Sequence, residues 1–88
     1  LSRNLAVEWA SAGIRVNSVS PWFTETPLTA GLLADSEKSK AVLARTPLRR
    51  VAQPAEIAAA VAFFAMSEAS FITGQNLVID GGMSANAL

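Results

Sequence analysis

Cysteine, histidine and tyrosine are all absent from this 88-residue sequence. Without cysteine there is neither a disulfide framework nor a thiolate metal site. Without histidine the commonest metal ligand and the commonest general base are gone, and without tyrosine there is no phenol to donate a proton. Charge is scarce as well: charged residues make up 16% and the net charge is zero, against about 25% charged in an ordinary soluble domain. Nucleic-acid binding needs a basic stripe. The densest basic group, Arg45, Arg49 and Arg50, reads instead as a solvated turn, so no nucleic-acid partner is expected. Glu8, Glu25, Asp35, Glu37, Glu56 and Glu68 show no paired-carboxylate pattern and read as solvated charges; no metal site is expected. The longest unbroken apolar run, Ile57–Met66, is about half of the ~20 residues that span a bilayer. No charged segment precedes an apolar run and a cleavage site, so no secretory signal is read and a cytoplasmic location is expected.

What is present is apolar. The hydrophobic fraction is 51%, high for a chain so short that folding alone would bury only about 60% of its unfolded surface. Part of that apolar surface is expected to face a partner or another part of the same fold. Residues 1–11 read as the tail of an amphipathic helix, with Leu1, Leu5 and Trp9 at spacing four. Gly13 follows as the stop. Neither a starting methionine nor an N-cap precedes this helix, which suggests a chain that starts inside a longer one.

Residues 14–20, IRVNSVS, alternate as a short strand, and Pro21 ends it because proline donates no ladder hydrogen bond. Residues 28–45 are helix-prone, with Thr29 or Ser36 as caps. Residues 54–66 make the firmest helix. Pro54 stands at the first helical position and Glu56 in the first turn, where a carboxylate suits the dipole. From Ile57 to Met66 this helix has no polar face, so it is expected to be covered on both sides. Ile57, Val61 and Phe64 fall on one side; Phe63 and Met66 lie well round from them. Thr73-Gly74 turns the chain into a second strand, 75–80, closed by Gly81-Gly82. Strand, helix, strand is a βαβ unit, with adjacent parallel strands and a right-handed crossover. Two strands do not make a stable open sheet on their own, so the fold is incomplete as it stands.

The residues also carry a resemblance. "GIRVNSVSPWFTETPL" followed by "TPLRRVAQPAEIAAAVAFFAMSEASFITGQNLVIDGG" resembles the C-terminal third of a short-chain dehydrogenase/reductase. Four motifs stand in family order: the RVNxVxP strand, the TP that opens a lid, the PxEIA helix start and the ITGQ…DGG end. The PWFTETPLT variant, with Trp22 where most of the family has glycine, is similar to the tropinone-reductase-like branch. The resemblance implies the C-terminal βαβ portion of a Rossmann-type, doubly wound parallel α/β sheet. It implies an NAD(P)-dependent oxidoreductase that reduces a small carbonyl or oxidises a secondary alcohol by hydride transfer, with NADP ahead of NAD on that ground alone.

It also implies roles. Pro21, Trp22, Thr24 and Thr26 would lie against the nicotinamide end of the cofactor. Thr24 matches the residue whose backbone holds the carboxamide, and Thr26 the one whose hydroxyl bonds the carboxamide or a nearby phosphate. Residues 22–50 would form a lid, with Trp22, Phe23, Leu28, Leu32 and Leu33 against the substrate. Helix 54–66 and strand 75–80 would form a homo-oligomer interface. The family's Tyr-x-x-x-Lys pair would lie upstream of Leu1, in the missing N-terminal part of the fold, so the segment alone is expected to be inactive. On the residues by themselves, other readings stay open. Proline after a strand is ordinary turn chemistry, and threonines in a loop can cap the next helix. The chain could be a non-catalytic oligomerisation module or an unrelated small βαβ binding domain. Gly74, Gly81, Gly82 and Asp80 read as architectural.

Overall fold

The computed structural model describes residues 1–85. The elements run α1 (Ser2–Trp9), β1 (Ser18–Pro21), α2 (Pro27–Ala34), α3 (Ser36–Ala44), α4 (Pro54–Ala65) and β2 (Asn76–Ile79), with 3-10 turns at Ala10–Ala12, Ser67–Ala69 and Met83–Ala85. α1 tightens into its 3-10 turn and stops at Gly13, whose φ of 77° places it in the left-handed region that glycine enters at no steric cost.

β1 and β2 pair in parallel, in the register Ser18↔Asn76 to Pro21↔Ile79. The α4 crossover between them makes a βαβ unit of an α/β fold. Pro21 is the last residue of the strand itself, where the sequence reading puts it just past the end. Ser18 and Trp22 donate their N–H groups to the Gln75 and Ile79 carbonyls. Backbone amides alternate in direction along a strand, so position 21 turns its nitrogen away from β2 and proline forfeits nothing.

The predicted strand 14–20 begins its ladder only at Ser18; before that point one backbone bond, from Gly74 N–H to Val16 O at 2.8 Å, is joined by bonds that run through side chains. Val16 N–H donates to Thr73 Oγ1 at 3.0 Å, and the Asn17 side chain bonds both Ile72 O (2.9 Å) and Gln75 N–H (3.0 Å). Arg15 reaches the carbonyls of Phe64 and Ile72 at 2.8 and 3.2 Å. These bonds tie the end of α4 and the approach to β2 onto one spot.

Two short helices fill the region between β1 and α4. Their caps are Thr26 and Asp35, one residue or more before the predicted Thr29 and Ser36. Asp35 accepts the N–H groups of Glu37 and Lys38 at 3.0 and 3.1 Å. At α4 the Glu56 side chain accepts the Gln53 N–H at 2.9 Å, one half of a capping box, while Glu56 N–H donates to the Gln53 carbonyl at 2.9 Å.

Little of this is sealed. Among the described residues the buried apolar ones are Ala6, Val42 and Ala69. No residue of α4 is buried within the chain. Its half-covered side is Ile57, Ala60 and Phe64. Val61, which the sequence pattern grouped with them, is 51% exposed. At 3.6 residues per turn it stands about 40° to the far side of Ile57 from Ala60 and Phe64. The radius of gyration is 15.8 Å, against about 12 Å for a compact chain of this length. The accessible surface is 6287 Å² for 9.2 kDa, where a folded monomer of that mass exposes about 4,900 Å².

Candidate functional site

β1 delivers its last residues to the carboxyl end of the sheet, where open α/β sheets bind their ligands. There Pro21, Trp22, Phe23, Thr24, Thr26 and Thr29 line an open groove of about 270 Å³. A short parallel bridge, Thr24↔Ala52, fixes the loop. Ala52 N–H donates to Phe23 O at 3.1 Å and Glu25 N–H donates to Ala52 O at 2.8 Å. The Thr24 amide therefore faces away from the bridge, and among the described residues no acceptor takes it.

Three threonines form one hydrogen-bond relay. The Thr29 hydroxyl donates to Thr24 O at 2.6 Å and accepts the Thr26 N–H at 3.0 Å. With the Thr29 proton used on that carbonyl, the 3.2 Å contact between the Thr26 and Thr29 hydroxyls leaves the Thr26 hydroxyl as the donor. Its reciprocal cap bond, from Thr29 N–H, is long at 3.4 Å. Thr26 thus caps α2 loosely and keeps a proton that a ligand oxygen could take. Thr24 offers one amide donor and the second lone pair of its carbonyl. A carboxamide needs one donor and one acceptor, so these residues fit one. Thr29, read from sequence only as a cap, is the centre of this relay. The T-x-x-T spacing of a capping box was its signal.

Trp22 contributes an apolar ring. Its backbone N–H goes to Ile79 O at 3.0 Å, its carbonyl accepts the Thr24 hydroxyl at 3.1 Å, and its indole N–H goes to Thr46 Oγ1 at 3.0 Å. Phe23 packs edge-on to it, 5.0 Å between centroids, and the Arg45 guanidinium lies 5.7 Å over its ring. The predicted lid residues do not all meet at the groove. Trp22 and Phe23 line it, while Leu28 is 97% exposed. Leu33 lines a separate hollow of about 470 Å³ with Leu43 and Val51, between α2, α3 and the returning chain. Leu32 is half-buried and lines neither.

The charges nearby are engaged rather than merely solvated. Arg50 grips Glu56 with two bonds of 2.7 Å, Gln53 N–H adds a third at 2.9 Å, and Gln53 Nε2 donates to Glu25 at 2.7 Å. The Arg50 hydrogen bonds, with the Gln53 amide, pull the Glu56 carboxyl down to about 2. Asp80 is held below the usual carboxylate range by Ser84 first and then by the Gly82 amide. It accepts from their N–H groups at 2.7 and 3.0 Å, which is an architectural use. Among the described residues no cluster of acidic side chains could hold a metal ion, and no helix is long and apolar enough to cross a membrane.

Residues 1–84 match the family model described as Enoyl-(Acyl carrier protein) reductase. A tropinone reductase homolog of Arabidopsis thaliana is 50% identical over 86 residues, which covers 98% of this chain and 28% of that protein. A protein of Agrobacterium tumefaciens described as a 2-deoxy-d-gluconate 3-dehydrogenase, solved with bound NADP, superposes with a TM-score of 0.93 at 39% identity, covering 97% of this chain and 35% of that one. A 4-hydroxyisoleucine dehydrogenase complexed with NADH gives 0.93 at 32% identity, with the same coverages of 97% and 35%. The chain therefore spans about a third of the length of the proteins it matches. With its parallel βαβ unit and a groove at the strand ends, this chain belongs to the short-chain dehydrogenase/reductase family, in the tropinone-reductase-like branch.

Proposed function

We propose that this chain is the C-terminal portion of an NAD(P)-dependent oxidoreductase that interconverts a small carbonyl and a secondary alcohol. The observation that carries the reading is the pairing of an unpartnered Thr24 amide with a donating Thr26 hydroxyl in a groove at the carboxyl end of β1. The nicotinamide nucleotides held by the two solved relatives support a nicotinamide cofactor. In this reading Thr24 and Thr26 hold the carboxamide and so fix which face of the nicotinamide ring is turned to substrate. Pro21 and the Trp22 ring give that ring an apolar backing and keep water from it. The cofactor, when bound, supplies or accepts the hydride. The region 22–50 covers the substrate, and α4 with β2 meets a second copy. No tyrosine is present to exchange the substrate proton, so residues 1–88 alone do not turn over.

The test is to read the coding sequence upstream of Leu1 and to assay the full-length protein. A Tyr-x-x-x-Lys pair shortly before α1, together with carbonyl-dependent oxidation of NADPH or NADH, is expected. Absence of the pair and of any nicotinamide-nucleotide binding would overturn the reading in favour of a non-catalytic module.

A further inference from the structure

Among the described residues Thr46 is the one buried polar side chain, at 1% exposure, and its hydroxyl serves two partners. It donates to Val42 O at 2.8 Å and accepts from the Trp22 indole at 3.0 Å. The first bond closes a helix end, as threonine often does. The second joins residues 24 apart in sequence and fixes the orientation of an indole that nothing else bonds. The Thr46 methyl lies where a Cβ on Gly81 would come within 2.8 Å, and Leu48 N–H donates to Gly81 O at 3.0 Å. Thr46 is therefore wedged between the aromatic at the end of β1 and the turn after β2.

Trp22 and Phe23, packed edge to face at 89°, are the shared wall of two spaces. One is the groove of about 270 Å³ toward Thr24 and Thr26. The other is a cavity of about 90 Å³ toward Ile79 and Glu56. We infer that Thr46 is a positioning residue that sets substrate size: by holding the Trp22 indole it keeps the wall shut and confines the substrate to the groove side of that wall, next to the nicotinamide. This rests on the function proposed above. Without the hydroxyl the indole loses its one hydrogen-bond partner among the described residues, the ring turns against Phe23 and Arg45, and the groove opens into the cavity behind it. Bulkier carbonyl substrates then gain room that small ones do not use.

The experiment uses the full-length protein labelled with 5-fluorotryptophan, the Trp22 signal being assigned by its loss in Trp22→Phe. Thr46→Val keeps the shape and removes the hydroxyl; Thr46→Ser keeps the hydroxyl. The Trp22 fluorine signal is expected to shift and broaden in Thr46→Val and to return in Thr46→Ser. An unmoved signal in Thr46→Val overturns the anchor. In parallel, kcat/KM is compared for cyclohexanone and 4-phenylcyclohexanone. Preference for the smaller ketone should fall by about tenfold or more in Thr46→Val, through KM for the larger one, and recover in Thr46→Ser. A purely structural loss lowers both rates alike, so an unchanged ratio overturns size control. A wild-type protein that reduces no carbonyl compound sinks the proposed function and size control with it, while the fluorine signal still decides whether Thr46 holds Trp22. Should Thr46→Val not fold, exchange of the wild-type Trp22 indole N–H decides. Exchange slower than in N-acetyltryptophanamide supports the anchor, and equal exchange overturns it.

Discussion

A threonine hydroxyl has one proton, and at Thr26 its destination separates a helix cap from a ligand-binding group. The capping role uses the oxygen as acceptor, over a long 3.4 Å bond, while the proton stays with Thr29 or a ligand. Thr26→Val removes both uses. Losing an N-cap costs about 0.5–2 kcal/mol of stability. Losing a buried ligand bond should weaken cofactor binding by ~1–3 kcal/mol, roughly 5- to 150-fold. Calorimetric titration of NADP and NADH into full-length protein, beside a melting curve, distinguishes them. A lower melting temperature with unchanged affinity means that the hydroxyl only caps α2. Glu56 gives a second expectation. Its carboxyl falls from its ordinary 4.5 to about 2, so the folded state favours the ionised form. Whatever stability the Arg50 pair adds is fully present above the unfolded value, about 4.3, and is lost as pH falls through about 2. The pair is solvent-exposed, so that contribution is small. The titration itself is measurable: the Glu56 carboxyl carbon should show a midpoint near 2 by NMR, and Arg50→Ala should return it toward 4.5. An ordinary midpoint in the unmutated protein would mean that the bidentate pair does not persist in solution.

At the scale of elements, what the sequence announced was what depends on local chemistry. Pro54 and Glu56 fix the start of α4 because a missing N–H and a first-turn carboxylate suit only a helix N-terminus. The β-branched run before Pro21 and the glycines after Asp80 bound two strands whose parallel pairing follows from the helix between them. What escaped was set by contacts distant in sequence. Thr46 before Pro47 looks like any turn residue, and nothing local marks it as the acceptor for Trp22. The ladder begins at Ser18 rather than Ile14 because the Thr73 and Asn17 side chains take the Val16 and Gln75 amides. α2 and α3 were hard to place because neither has a clean apolar face. Only Val42 is buried across the two, and an element so lightly held opens readily. In full-length protein the wholly apolar α4 should be covered on both sides, so hydrogen exchange is expected to be faster for amides in 27–44 than in 57–65, and to slow when nucleotide and substrate are both bound, as for a closing lid. Rates equal to those of α4, with and without ligand, would make 22–50 a fixed wall.

For the whole molecule, the decisive quantity is apolar surface that the described residues leave bare. The chain exposes over a thousand Å² more than a folded monomer of its mass would. One partner in a standard protein–protein interface buries about 800 Å². Half of the bare large apolar residues lie on two elements and the link between them: Val61, Phe63 and Met66 on and after α4, Phe71 beyond it, and Leu77 and Val78 on β2; the others are Leu1, Val7, Trp9, Ile14, Leu28 and Leu48. One layer of sheet can cover only the Ile57, Ala60 and Phe64 side of α4, so Phe63 and Met66 need a second surface. Burying each is worth roughly 1.5–3 kcal/mol. The two-stranded sheet also has open edges, which invite pairing with another chain. The 88-residue chain is therefore expected to be dimeric or larger at micromolar concentration, or else to aggregate. Phe63→Glu combined with Met66→Glu should push that equilibrium toward monomer, because an unpaired carboxylate is costly to take out of water into a dry apolar interface. Sedimentation equilibrium of both forms is the measurement. A well-folded monomer of the unmutated chain would mean that α1 swings over to cover the second side of α4, and the faces now bare would then not be an interface at all.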